Sequence, residues 1–151
     1  MAKDKLKKKN KIHYDLKILD WYPSFSFGVE EKYIQRILNE RISESSTLSF
    51  SCEIESPKIK NVTSCSLIVY SSFGFEVGMR DGTLEDKIEK IGLMEKKRGG
   101  QGLFLFIKLP NYLFDNLLLS VGFNRITGIS IYADRLHYGK GNIYNIYFNI
   151  S

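Results

Sequence analysis

Alanine is almost missing from this chain: Ala2 and Ala133 are the only two among 151 residues. A helix bundle draws on alanine as its strongest helix former, so the shortage argues against an all-helical fold. Histidine is scarce as well, with His13 and His137 far apart and neither near a cysteine at zinc-ligand spacing. Only Cys52 and Cys65 carry thiols, and they sit in separate apolar segments, which suits small buried hydrophobes in a reducing compartment better than a disulfide framework. No apolar run approaches the roughly 18 residues of a membrane-spanning helix. Behind the N-terminal lysines, IHYDLKILDWYP is interrupted by Asp15, Lys17 and Asp20, so no secretory h-region forms. The expected location is therefore cytoplasmic. Neither a Gly-x-Ser-x-Gly elbow nor a Walker phosphate loop is present, and no cofactor is expected.

What the chain has in quantity is Ile, Tyr, Phe and Ser. β-Branched and aromatic side chains suit a pleated, half-buried surface. The 43% hydrophobic content is that of a folded protein, and the length fits one domain. The excess of 22 basic over 17 acidic residues has one origin. Residues 1–11, MAKDKLKKKNK, hold six lysines and one aspartate, and the rest of the chain carries sixteen of each sign. The boundaries drawn are a basic tail at 1–11 and a β-rich domain at 12–151. No internal repeat and no Pro-, Gly- or Ser-rich linker divides that domain.

Period-two alternation dominates the domain. Tyr14, Leu16 and Ile18 form one face of a strand, and Phe25, Phe27 and Val29 one face of the next. Leu48, Phe50, Cys52 and Ile54 against Ser49, Ser51, Glu53 and Glu55 make the clearest amphipathic strand. Residues 62–70 and the set Phe73, Phe75, Val77 and Met79 follow. LFLFIKL at 103–109 is apolar on both faces, as a strand covered from two sides would be. Ile129, Ile131 and Ala133 oppose Ser130 and Tyr132. Tyr144, Ile146, Phe148 and Ile150 oppose Asn145, Tyr147 and Asn149. Helical stripes are predicted at 30–42, at 83–92 behind Thr83 as N-cap, and at 110–122 with Leu113, Leu117 and Leu118 on one face. Together these patterns predict an α+β fold: a predominantly antiparallel sheet with two or three short helices. An all-β two-sheet sandwich is the alternative.

One tripeptide invites a catalytic reading. Gly99-Gly100-Gln101 resembles the motif with which protein release factors direct water onto peptidyl-tRNA. That family continues with a His-Val-Asn stretch, whereas Gly102-Leu103-Phe104 follows here, so the likeness ends at three residues. Set between Lys96-Lys97-Arg98 and an apolar strand, the glycines read as a hairpin turn. Asp81 with Glu95 and Lys97 matches the loose Asp…Glu-x-Lys pattern of metal-dependent nucleases. Glu-x-Lys also occurs at Glu30 and Glu85, so composition alone accounts for it.

A non-enzymatic binding or interaction module is therefore expected, of the kind a small prokaryotic or mobile-element accessory protein supplies. Its partner would be a protein, a second copy included. Trp21, Tyr22, Tyr132, Tyr138 and Tyr147 are the candidate contact residues, because Tyr and Trp give large contact area at low entropic cost. The first alternative is a nucleic-acid-associated protein that uses Lys5, Lys7, Lys8 and Lys9 of the tail with Lys96, Lys97 and Arg98. The second is a small nuclease with its metal at Asp81 and Glu95. Membrane insertion is not expected.

Overall fold

The computed structural model describes residues 11–29, 42–71 and 90–150. They form strands β1 (Lys11–Val29), β2 (Ile42–Ser56), β3 (Ser64–Ser71), β4 (Gly92–Lys96), β5 (Gly102–Leu109), β6 (Ile126–Asp134) and β7 (Lys140–Ile150). Helix α1 (Asn111–Gly122) joins β5 to β6. The strands close into a barrel in the order β1-β2-β3-β5-β4-β7-β6, with β6 bonded back to β1. The β3–β5 pair is parallel and every other pair is antiparallel.

This architecture corrects the α+β expectation. It is a mostly-β closed barrel with one short helix among the described residues. The all-β alternative came nearer, although the sheet closes on itself instead of splitting into two layers. Closure depends on the β1–β6 and β4–β7 pairings, which join segments distant in sequence and leave no local period to read. Of the three predicted helices, 110–122 is found. Residues 30–41 and 83–89 lie outside the described residues, as does the Phe73–Met79 strand. Ile42 opens β2 and Gly92 opens β4 instead of ending helices. Lys11, assigned to the tail by its charge, is the first residue of β1.

Alternation places the core inside the barrel. Tyr14 and Leu16 of β1, Leu48, Phe50, Cys52 and Ile54 of β2, and Cys65, Leu67 and Val69 of β3 point inward and are buried. So are Met94 of β4, Leu103, Leu105 and Ile107 of β5, Ile129, Ile131 and Ala133 of β6, and Ile143 of β7. Each large apolar side chain in such a position stabilises the fold by roughly 1.5–3 kcal/mol relative to exposure. The outward Phe104 and Phe106 of β5 are only half-buried, their ring centroids 6.5 Å apart, so that strand is covered fully on its inner face alone.

Two of the four register shifts in the β1–β2 and β6–β7 pairs bear on the period-two reading. Between Ile18 and Asp20 the β1 register shifts, Leu19 turns outward, and the strand runs on through Pro23 as one element instead of two. Proline is tolerated there because β1 beyond Leu16 has only β2 as a hydrogen-bonded neighbour among the described residues. The second shift opposes Tyr132 and Ala133 to Asn145 and Ile143. It turns Ile143 into the core and moves Tyr144 to the outer face, reversing the orientation expected for Tyr144.

Helix α1 lies across the barrel end that β5 leaves and β6 enters. Phe114, Leu117 and Val121 are its buried stripe, one turn apart along the axis. Leu113, expected in that stripe, is exposed. Among the described residues no helix is long and apolar enough to cross a membrane.

Candidate functional site

The barrel topology gathers one kind of charge at one end. The β2–β3 connection (57–63), the β4–β5 connection (97–101) and the β6–β7 connection (135–139) all lie at the end where β1 begins. The first brings Lys58 and Lys60. The second brings Lys97 and Arg98 beside Lys96, and the third brings Arg135 and His137 beside Lys140. Lys11, the first described residue, enters at the same end. Among the described residues the carboxylates near this rim are Asp15, Glu55, Glu95 and Asp134. Among the described residues the opposite end carries Lys108 and Arg125 with Asp20 and Asp115, while Lys90 donates to Asn142 Oδ1 at 3.3 Å and lines a cavity with Glu95, Asp134, His137 and Lys140. Among the described residues, cations therefore outnumber carboxylates at the end where β1 begins.

Backbone and side-chain hydrogen bonds tie the three connections into one rim. The Lys96 amide donates to the Gly139 carbonyl at 2.7 Å. The amides of Thr63 and Ser64 donate to the Gln101 carbonyl at 2.9 and 3.4 Å. The Thr63 hydroxyl donates to Gln101 Oε1 at 3.2 Å. This places the Gly-Gly-Gln tripeptide: the Gly100 amide bonds to the Lys97 carbonyl, Gly99 has φ +77°, and Gln101 braces one loop against the next. The hairpin reading of 95–106 holds, and the Gln101 carboxamide is engaged with Thr63.

At the third loop the chain makes a two-residue hairpin. His137 and Lys140 exchange both backbone bonds, at 2.9 and 3.1 Å, and Tyr138 and Gly139 between them have φ +51° and +74°. Two successive positive φ values are those of a type I′ turn, which matches the twist of the flanking strands. Tyr138 projects from its tip 93% exposed, with the His137 ring edge-on at 4.3 Å.

Below the rim, the outer face of β1, β6 and β7 carries an aromatic ladder. His13 and Tyr132 are register partners and stack with centroids 4.6 Å apart. Tyr132 and Tyr144 lie 6.4 Å apart, and Lys11 Nζ sits 4.0 Å over the Tyr144 ring, within cation–π range. The Tyr144 hydroxyl donates to Asp134 Oδ1 at 2.9 Å, and the Asn142 amide donates to Oδ2 at 3.1 Å. Further down, Ser130 Oγ donates to Asp15 at 2.8 Å and Asn145 donates to the Tyr147 hydroxyl at 2.9 Å.

The five aromatic candidates therefore divide. Tyr132, Tyr138 and Tyr147 belong to the β6–β7 side. Trp21 pairs with Phe50 and lines a small cavity with Val121 and Ile126 near α1, and its ring is half-buried. Tyr22 is exposed at that same end and donates to Asp20 Oδ2 at 2.5 Å. Lys96, Lys97 and Arg98 sit on the rim, while Lys5, Lys7, Lys8 and Lys9 lie outside the described residues. Of the nuclease pair, Asp81 also lies outside them, and Glu95 faces Lys140 across the β4–β7 pair. Among the described residues no group of three His, Cys, Asp or Glu side chains converges to hold a metal. Sequence reasoning missed Lys11, Lys58, Lys60, Arg135 and Lys140 as one set, and missed His13 as a rung of the ladder. The usable signal was that loops joining alternate strands fall at a common end.

No family model, curated protein or solved structure matches the chain.

Proposed function

We propose that the protein is a non-enzymatic binding module whose basic rim takes the phosphate backbone of a nucleic acid. The observation that carries this reading is the gathering of Lys58, Lys60, Lys96, Lys97, Arg98, Arg135 and Lys140 at one barrel end, where Lys11 also begins β1. These cations, exposed except for the half-buried Lys96, form a surface that releases condensed counterions when phosphate docks. No reaction is assigned to the surface, because its polar groups are those of contact and orientation.

Fluorescence anisotropy with a dye-labelled oligonucleotide tests the reading. Binding should weaken steeply with salt, with a log–log slope near ~0.7 for each phosphate neutralised on a single strand. Lys97→Ala with Arg98→Ala, and separately Arg135→Ala with Lys140→Ala, should each lower affinity and flatten that slope. Failure of the full chain to bind any oligonucleotide at about 20 mM salt, where such contacts are strongest, would end the proposal.

A second reading keeps the binding class and takes a copy of the same chain as partner. It rests on a cleft of about 440 Å³ between α1 and β7, lined by Leu113, Leu117, Ile146, Phe148 and Ile150. Sedimentation showing a monomer at all concentrations, unchanged by Leu113→Glu, would remove it.

A further inference from the structure

Resting on the nucleic-acid reading above, we infer that the partner is single-stranded and that Tyr138 is the anchor on which an unpaired base stacks. Two observations at Tyr138 have no explanation in folding. The residue is 93% exposed, so it adds nothing to the core. Its φ of +51° is a backbone region that Asn, Asp or Gly fills at lower cost than a bulky aromatic. The turn therefore holds a large π-face in water at a conformational expense, next to Lys140 and Arg135.

The surroundings fit a strand with splayed bases. His137 packs edge-on against Tyr138 at 4.3 Å and limits the orientations of its ring. From the same rim the His13–Tyr132 stack descends the outer face, with His13 exposed as its outermost ring. Cations that track a backbone beside aromatic rings that accept successive bases are the two elements of single-strand recognition, and stacking tolerates any base because each has a π-face. A duplex hides those faces in its own stack and leaves a ring none to stack on along its length. Here the phosphates are served by the rim and the bases by Tyr138.

Three dye-labelled probes of equal length separate the contributions: a mixed-sequence single strand, the same strand with abasic sites, and its duplex. RNA and DNA versions of the first show which sugar is preferred. The wild-type protein should bind the base-carrying strand at least about fivefold more tightly than the abasic strand, the low end expected for one stacked base. Tyr138→Asn keeps a residue suited to the left-handed turn and should remove that advantage, leaving abasic and duplex binding unchanged. Tyr138→Phe should restore it. Circular dichroism and Trp21 emission verify that each variant folds. Equal binding of base-carrying and abasic strands by the wild type would overturn the inference, and so would an equal loss on all three probes in Tyr138→Asn. Either result leaves the rim proposal standing, whereas absence of binding to every probe defeats the rim proposal itself.

Discussion

Gly139 and Lys96 meet backbone to backbone: the Lys96 amide donates to the Gly139 carbonyl, and a β-carbon built on Gly139 would overlap the Lys96 carbonyl oxygen. The contact joins the β4–β5 loop to the β6–β7 loop and so holds two groups of rim cations at a fixed separation. Gly139 also has φ +74°, where a side chain adds strain. Gly139→Ala should therefore destabilise the fold by about 1–3 kcal/mol, read as a lower denaturant midpoint with an unchanged m-value. It should also weaken oligonucleotide binding beyond what the loss of folded protein explains. A variant as stable as wild type would show that the contact is not closely packed.

Cys52 and Cys65 face each other across the β2–β3 pair, both buried and both free thiols. Burial pushes each thiol up to about 12, and the neighbouring sulfur adds to the rise at Cys65. Native protein should react with a thiol reagent only through opening of the fold, and denatured protein at once. Because the folded value lies above the ordinary 9.0, the neutral thiols favour the fold below pH 9. That contribution should fall away as pH rises from 9 toward 12. Rapid labelling of the native protein at neutral pH would contradict the burial.

Asp20 lies on the exposed stretch of β1, where the Tyr22 hydroxyl and the Trp21 amide both donate to its carboxylate. The Tyr22 bond, then the Trp21 bond, hold the carboxyl below its ordinary 3.8, and the same contact raises the Tyr22 phenol above 10.0. Asp20 thus favours the fold above its unfolded value and loses that effect as pH falls through the folded one. Tyr22 does so below pH 10 and loses it as pH rises further. NMR titration should place Asp20 low in the wild type and closer to 3.8 in Tyr22→Phe. No change on removing the hydroxyl would mean the bond is absent in solution.

Gln101 joins two loops through its side chain and its carbonyl. Gln101→Ala removes only the side-chain bond to Thr63, so stability should drop by about 0.5–1.5 kcal/mol or less, given its exposure. Thr63→Val should give a similar loss, and the double variant little more than either. Additive losses in that cycle would show that the two side chains do not interact.

Leu105 is fully buried at the middle of β5, between β3 and β4. Leu105→Ala should cost about 2–5 kcal/mol in chemical denaturation. A loss below 1 kcal/mol would mean that the barrel interior relaxes around the vacancy.

Much of the wall was legible because alternation is a local property. Leu48, Phe50, Cys52 and Ile54 announce their inward face without reference to any other strand, and all four are buried. The hairpin at Gly99-Gly100 was legible for the same reason. Tyr144 was not, because the irregularity that turns it outward is set by the opposing Tyr132 and Ala133 of β6. Leu113 was misassigned because the helical period also permits the stripe through Phe114 and Val121, and only the barrel end selects between them.

By itself, then, the sequence determined most of the extended segments among the described residues, the inward face of strands such as β2, and that 95–106 turns back on itself. It did so through side-chain period and turn chemistry, which act over a few residues. Closure of the sheet and the meeting of its basic loops at one end were decided only in three dimensions. The chain totals hid them, since charge sums to a number along a sequence but acts through distance. Lys58, Lys97 and Arg135 are far apart in the first sense and share a rim in the second.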